Sequence, residues 1–177
     1  MFTLNEIKMK VGLIGLEDIG EIISHRMVKA DIEVWGHRED YEKANEAYEN
    51  GYVSGVNTTL KYLSRVIHHQ DSMVGMGPGI FMIVKPKEDV EETLYELLQY
   101  TTKGDIIIIN DKSFNLKEST FRTERLSKLG IQLINCDTSD DNLIVSGSKT
   151  ALTICSPIFK ALNPSLDWKE MYVWWSR

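Results

Sequence analysis

The stretch from Gly15 to Gly20 is the part of the chain whose residue types and spacing most directly indicate chemistry. It reads Gly-Leu-Glu-Asp-Ile-Gly and begins at the last residue of the apolar run Val-Gly-Leu-Ile-Gly. A G-x-G-x-x-G turn between a strand and a helix is typical of a site that holds a dinucleotide pyrophosphate at the helix N-terminus. Here Glu17 replaces the middle glycine and Asp18 follows it. Two carboxylates therefore stand where a pyrophosphate would bind.

These carboxylates leave two interpretations of the turn. In the first, Glu17 and Asp18 satisfy the unpaired N–H groups of the helix from within and stand in for a bound phosphate. In the second, Glu17 swings aside and a dinucleotide binds to the rest of the turn. The residues that would then contact the cofactor are Gly15, Leu16, Ile19 and Gly20.

Strand and helix patterns alternate along the chain that positions this turn. Apolar runs predict strands near residues 11–15, 32–35, 80–84, 105–109, 131–134 and 142–145. Helical spacing predicts helices over about 19–30, 41–51, 60–66, 90–98, 115–129 and 151–162, the last interrupted or started at Pro157. Two finer expectations are a cap at Asn115 and a loop from His68 to Gly79. The alternation predicts a three-layer α/β domain of Rossmann type, with a doubly wound, mainly parallel sheet of six to seven strands.

Composition sets limits on the domain and its partners. The chain has 177 residues, 42% of them hydrophobic, and a net charge of −6, which favours one packed domain and argues against nucleic-acid or membrane partners. We expect residues 1–8 to be an extension before a second methionine, 9–164 the domain and 165–177 an aromatic tail. Cys136 and Cys155 are expected to be buried thiols. No long apolar run or leader is present, so we expect a cytoplasmic protein.

Two further features invite a functional interpretation. His68 and His69 are adjacent, so they cannot both face one metal ion in regular structure, and we expect them to have a loop role without metal. The run from Met171 to Trp175 is rich in aromatic residues. It either packs back on its own sheet or offers a surface to another chain, because Trp and Tyr are common in interface hot spots.

The chain resembles the 6-phosphogluconate dehydrogenase family along most of its length. Residues 9–20 read MKVGLIGLEDIG, where that family has MKVGLIGLGxMG. Residues 104–109 stand at its GDIxID strand, 110–113 at GGNS, 136–141 at GTSGG and 157–162 at PIFEAL. The resemblance implies the NADP-binding domain of a dehydrogenase, with NADP as the cofactor if one binds.

The resemblance also implies where the rest of the cofactor would lie. The family holds the adenosine 2′-phosphate with a turn after the second strand, which here begins His37-Arg38. Arg38 either pairs with that phosphate or is a solvated arginine on a charged turn. Val84, Lys85 and Pro86 replace the family's Met-Val-Pro beside the nicotinamide, with a lysine inserted. Because Glu17 and Asp18 oppose the pyrophosphate, we expect weak or absent binding.

The substrate motifs of the family are largely changed in this chain. Only Ser113 and Ser139 match, whereas Lys112, Asp140 and Asp141 replace small or neutral residues. Two carboxylates there would repel a phosphorylated sugar acid. The family's catalytic lysine lies on helices after this domain, and we find no matching segment, so we predict no catalytic residue.

Two functions remain in competition at this point. The first is a degenerate, non-catalytic dehydrogenase-like domain that acts by binding a partner protein or a nucleotide. The second is an NADP-dependent oxidoreductase subunit whose catalytic domain is supplied by another chain. In either case we expect a homodimer or a partner protein, bound through the face that a second domain would cover and through the aromatic tail.

Overall fold

Seven strands form one sheet in the computed structural model, which describes residues 8–69, 77–112, 116–138 and 143–164. The strands are β1 Lys10–Ile14, β2 Glu33–His37, β3 Gly55–Asn57, β4 Ile80–Ile83, β5 Ile106–Asn110, β6 Gln132–Asp137 and β7 Ile144–Gly147. Their order is β3-β2-β1-β4-β5-β6-β7, and all neighbours are parallel except β6 and β7. The predicted sheet is therefore confirmed.

Helices cover both faces of this sheet. They are α1 Ile19–Lys29, α2 Tyr41–Glu49, α3 Leu60–His68, α4 Lys87–Leu97, α5 Leu116–Lys128, α6 Lys149–Ile154 and α7 Ser156–Leu162. One apolar core lies between the sheet and α1, α6 and α7, and the other lies between the sheet and α3, α4 and α5. The central strands are apolar on both sides because each side packs on helices, and every residue of β5 is buried.

The observed elements include one strand that the sequence patterns do not predict. β3 is not predicted, because Gly-Val-Asn is too short to show a periodic pattern, and β3 pairs only with β2 at the edge of the sheet. The interruption at Pro157 is confirmed as a break between α6 and α7, with Pro157 in the first turn of α7. The predicted cap at Asn115 lies outside the described residues.

The strand order reverses between β1 and β4, which is the position that decides where a ligand can bind. The chain leaves β1 towards one side and leaves β4 towards the other, so the loops at their carboxyl ends diverge and open a crevice. The Val84 N–H donates to the Ile14 carbonyl at 2.8 Å and closes the sheet below this opening.

The predicted loop from His68 to Gly79 is wrong at its first residue, because His68 is the last residue of α3. Its Nε2 lies 2.8 Å from Asp105 Oδ2, and its Nδ1 lies 3.1 Å from Ser64 Oγ. The Ser64 hydroxyl donates to the Tyr100 carbonyl at 2.7 Å, so it can only accept from the imidazole. Both ring nitrogens therefore donate, and His68 is held as a cation against a buried carboxylate.

Asp105 receives more than this one ion pair. Its carboxylate also accepts the backbone N–H of Gly79 at 2.9 Å and that of Thr102 at 2.8 Å. The hydrogen bond to Asp105 raises the pKa of His68, although burial opposes it. Burial raises the pKa of Asp105, but the hydrogen bonds from His68, Thr102 and Gly79 outweigh it and leave that pKa below its ordinary value.

Several kinds of site are missing from the part of the chain that the structure describes. No three His, Cys, Asp or Glu side chains lie together as a metal ion would require, and no helix there has the length and apolarity to cross a membrane. Cys136 and Cys155 are free and buried, as predicted. Burial raises the pKa of Cys136, and raises that of Cys155 to about 12, so neither is a reactive thiolate.

We predict that His68→Gln destabilises the fold in a pH-dependent way. The folded pKa of His68 is raised, so its stabilising contribution is complete below the unfolded value of about 6.5 and is lost as pH rises through the folded value. The loss in unfolding free energy should be about 1–2 kcal/mol at pH 6, because Asp105 keeps its backbone donors. It should shrink towards pH 9. Urea unfolding across pH measures this.

His25→Gln is the matched control for that measurement. His25 lies on α1 beside the Tyr52 ring, with the two ring centroids 5.2 Å apart, and forms no ion pair with any residue that the structure describes. Its substitution should change stability by a similar amount at every pH. A constant cost for His68→Gln across the same range would contradict the assignment of the imidazolium.

Candidate functional site

A cavity of about 310 Å³ occupies the crevice at the carboxyl ends of β1, β4 and β5. Three loops line it: the β1–α1 turn, the residues after β4 and the residues after β5. Their lining residues are Glu17, Asp18, Ile19, Val84, Lys85, Pro86, Lys87, Asn110, Asp111 and Lys112. The fold therefore brings together the predicted positions Ile19, Val84, Lys85 and Pro86 with Lys112 of the altered substrate motif.

The outer glycines of the turn are required by backbone contacts. A Cβ on Gly15 would lie 1.9 Å from the Val84 carbonyl oxygen, and a Cβ on Gly20 would lie 1.7 Å from the Gly15 carbonyl oxygen. Gly15 also has a φ of 108°, which favours glycine. The turn thus keeps the tight crossing of strand and helix that the sequence predicted.

Leu16 was predicted as a cofactor contact, but its side chain belongs to the apolar core. Its side chain is completely buried, and a Cβ on Gly36 would lie 2.3 Å from Leu16 Cδ1. Leu16 therefore packs into the core against β2. Only its main chain is available to the crevice.

The carboxylates of the turn do not cap α1, which corrects the first interpretation of Glu17 and Asp18. Asp18 is the N-cap residue, yet it has φ 42° and ψ −99° and makes no side-chain cap hydrogen bond. The Gly20 N–H instead donates to the Glu17 backbone carbonyl at 2.8 Å. The positive φ of Asp18 is unusual for a residue other than glycine. The turn itself supplies a main-chain acceptor within the first residues of the helix.

Arg38 is neither a solvated arginine nor a free phosphate ligand. Its Nη1 donates to the Leu16 carbonyl at 2.7 Å, and its Nε lies 3.9 Å from Glu17 Oε1. The Arg38 side chain is only 16% exposed, whereas that of Glu17 is 52% exposed. Arg38 thereby connects the end of β2 to the glycine turn. Arg38 and the turn, which the resemblance assigns to the 2′-phosphate and the pyrophosphate, contact each other.

His37 is buried beside the turn and is held neutral. Burial, followed by the charge of Lys85, lowers its pKa below the ordinary value. Among the described residues, its Nδ1 has no hydrogen-bond partner, and neither has Nδ2 of Asn57, its register partner on β3. Asn57 was missed as a site residue because in the sequence it only precedes the Thr59 cap of α3. Two paired residues at the ends of β2 and β3 therefore each carry a buried polar atom without such a partner.

The lysines of the crevice come from the loops after β4 and β5. The Lys85 side chain passes close to the turn, since a Cβ on Gly15 would lie 3.6 Å from Lys85 Cδ. The Nζ of Lys87 lies 3.5 Å from Oε2 of Glu118. Lys112 is exposed at the opposite wall. The inserted Lys85 therefore lies close to the glycine turn.

Asp111 is buried and compensated by an arginine that the sequence did not indicate. Its Oδ2 lies 3.9 Å from Nη1 of Arg122 on α5, and Arg122 Nε also donates to Glu91 on α4. The Arg122 side chain is only 8% exposed. No sequence pattern marks this residue, because an isolated arginine on an exposed-looking helix carries no signal. The change from glycine to Asp111 therefore adds a paired rather than a free charge.

A second cavity, of about 920 Å³, lies between α1 and α7 and borders the first through Ile19 and Lys112. Its apolar wall includes Ile22, which is 55% exposed, and Leu162. Pro164, the last described residue, also lines it. We call this surface the α1–α7 groove. The tail at 165–177 and the motif residues Ser113, Ser139, Asp140 and Asp141 lie outside the described residues.

The crevice combines a retained glycine turn with charged groups that already have partners. Gly15 and Gly20 keep the shape of the turn, but Glu17 lines the cavity and Arg38 is engaged with Glu17 and the Leu16 carbonyl. A pyrophosphate would meet a carboxylate, and a 2′-phosphate would have to displace an existing hydrogen bond.

Comparison with known proteins gives the same type of fold. The model of the NAD binding domain of 6-phosphogluconate dehydrogenase matches residues 10–169. No curated protein matches the chain. Among solved structures, the chain is similar to 3-hydroxyisobutyrate dehydrogenase from Salmonella typhimurium, with 14% identity over 88% of this chain and 54% of that one, and a TM-score of 0.68.

Two further solved structures share the fold. An imine reductase from Myxococcus stipitatus in complex with NADP+ has 10% identity, covers 89% of this chain and 54% of that one, and has a TM-score of 0.71. The 6-phosphogluconate dehydrogenase of Plasmodium falciparum has 17% identity over 87% of this chain and 34% of that one, and a TM-score of 0.66. The chain spans about half the length or less of these three proteins. It belongs to the 6-phosphogluconate dehydrogenase family, of which it contains the NAD-binding domain.

Proposed function

We propose that this domain has a binding rather than a catalytic function: it binds a partner protein or a nucleotide, and its hold on a dinucleotide is weak. The observation that carries the proposal is the engagement of Arg38 with the Leu16 carbonyl and with Glu17. In a dinucleotide site both elements would have to face the cofactor. Here they stabilise the turn instead.

The energetic argument supports weak binding. A pyrophosphate about 5 Å from Glu17 would meet a repulsion on the order of 1 kcal/mol even at the dielectric constant of water, and more in a partly buried crevice. Freeing Arg38 for a 2′-phosphate would break a charged hydrogen bond worth about 1.5–3 kcal/mol. The two losses together, about 2.5–4 kcal/mol, correspond to a loss of affinity of roughly 60- to 700-fold.

The partner half of the proposal is supported by the α1–α7 groove. Ile22 and Leu143 present apolar surface there, next to the last described residue, Pro164. The aromatic residues of 171–175 follow shortly in the sequence. We propose that these two features bind a second copy of the chain or a different protein.

The alternative is an oxidoreductase subunit completed by another chain. It is favoured by the retained glycine crossing and by the open crevice with Lys85 and Lys112 on its walls. Under this alternative NADP binds measurably to the unmodified protein. The cofactor titration below therefore separates the two functions.

We predict that Glu17→Gly raises the affinity for NADP by about tenfold or more, on the order of 1.4 kcal/mol. The substitution removes both the charge and the bulk beside the pyrophosphate. Nicotinamide fluorescence and calorimetry with NADPH and NADH measure the change. Glu17→Gln, which keeps the bulk, should recover only the electrostatic part. Micromolar binding by the unmodified protein, or no gain in Glu17→Gly, would count against the proposal.

We predict that the purified chain does not oxidise 6-phosphogluconate. No residue of the crevice matches the family's catalytic lysine, and Lys112 replaces the asparagine of its substrate motif. Absorbance of NADPH, recorded with saturating substrate and cofactor, should stay at background for both the unmodified protein and Glu17→Gly. Sustained NADPH formation by either would refute this.

We predict that the intact protein associates at tens of micromolar and that deleting Met171–Arg177 reduces its mass in solution. The aromatic residues of this segment would be buried across an interface, and their removal takes away the contact. Light scattering with equilibrium sedimentation measures both forms. An intact monomer whose mass and thermal stability are unchanged by the deletion would show that the segment has no such role.

A further inference from the structure

A third cavity lies at the opposite edge of the sheet from the crevice. It is a groove of about 990 Å³ between the exposed side of α3, the first residue of β1 and the segment after α4. We call it the basic groove. It is lined by Lys10, Trp35, Lys61, Ser64, Arg65, Val66, His68, His69 and Tyr100.

The charge of the basic groove is opposite to that of the chain. None of its lining residues is acidic, although the protein has a net charge of −6. Lys10 and His68 are used within the fold. Lys10 Nζ donates to the Val66 and His69 carbonyls and lies 3.9 Å from Glu33 Oε1, and His68 is paired with Asp105. Lys61 and Arg65, one turn apart on α3, form no ion pair within the described residues.

The floor of the basic groove is aromatic and fixed. The Trp35 indole N–H donates to Glu33 Oε1 at 2.7 Å, and its ring packs on Gly55, where a Cβ would lie 2.4 Å from Trp35 Cζ3. Tyr100 is anchored through its carbonyl by Ser64. The Arg65 guanidinium lies 5.5 Å from the centre of the Tyr62 ring, which limits its freedom. Preformed apolar and cationic groups therefore stand next to each other.

We propose that the basic groove is a docking surface for an acidic segment of a partner protein. Carboxylates of that segment pair with Lys61 and Arg65, and an apolar side chain among them packs on Trp35. The inference rests on the proposed partner-binding function and assigns it a second surface and a chemistry. Because the groove and the crevice lie at opposite edges of the sheet, docking here leaves the crevice open.

Charge and shape favour this occupant over two others. Nucleic acid binding needs many neutralised phosphates, whereas the basic groove offers two unpaired cations on an acidic protein. A small phosphate needs converging buried donors, but Lys61 and Arg65 are exposed and the Ser64 hydroxyl is committed to Tyr100. Exposed ion pairs contribute about 0.2–1 kcal/mol each, so a segment with several carboxylates and an apolar anchor is needed for useful affinity.

The test uses the full chain and a short synthetic peptide with glutamates on both sides of one leucine. Calorimetry at low salt should show binding to the unmodified protein, and added salt should weaken it. Lys61→Glu with Arg65→Glu should weaken binding at least tenfold. The matched control is Lys29→Glu with Lys43→Glu, which changes the net charge equally on α1 and α2 and should bind like the unmodified protein.

Other outcomes of this test overturn the proposal. Equal weakening by both double variants would mean that only the net charge matters. Equal binding of a peptide with glutamines in place of glutamates would remove the role of the cations, and displacement of the peptide by inorganic phosphate would identify a small-anion site. Lys61→Gln with Arg65→Gln keeps the test decisive if the reversed variant does not fold. The cofactor titration and the tail deletion probe other surfaces, so they can fail or succeed independently.

Discussion

Three backbone segments meet at Gly15, and the rest of the crevice depends on that contact. The end of β1 passes so close to the end of β4 and to the start of α1 that neither Gly15 nor Gly20 can carry a Cβ. The approach sets where α1 begins, and it keeps the loops after β4 beside the turn. These glycines are therefore needed to build the sheet and its first helix, whether or not a cofactor binds. Their presence indicates the fold more strongly than it indicates the ligand.

Charges within the crevice are largely compensated inside the chain. Glu17 lies by Arg38, and Asp111 lies by Arg122, which in turn bonds Glu91. Asp111 and Arg122 are both buried, so removing one of them would leave the other uncompensated, which costs more than the pair itself contributes. Substitutions that would repel a phosphate in isolation are thus part of local structure here.

The two edges of the sheet have different physical characters. At the carboxyl edge, loops diverge and leave a cavity with mixed charge, and the α1–α7 groove continues it with apolar surface. At the amino edge, the Asp105 carboxylate accepts hydrogen bonds from three segments. The donors are His68 on α3, Gly79 before β4 and Thr102 in the segment after α4. The same network fixes His68 and Tyr100, which line the basic groove. The stability of this edge and the shape of its surface therefore depend on one buried carboxylate.

The sequence by itself determined the order of the elements, the class of the fold and the family. Runs such as residues 106–109 and the glycine turn report burial and backbone shape locally, and these properties need no knowledge of distant residues. It also singled out Glu17 and Arg38 as residues whose role the sequence left open. Only the tertiary structure decided what they do, because the partners of long polar side chains depend on how distant segments pack. His68 meets a carboxylate 37 residues away, and Asp111 meets Arg122 on the following helix. β3 was not predicted because it also depends on a distant segment: a three-residue edge strand is specified by its pairing with β2 more than by its own pattern.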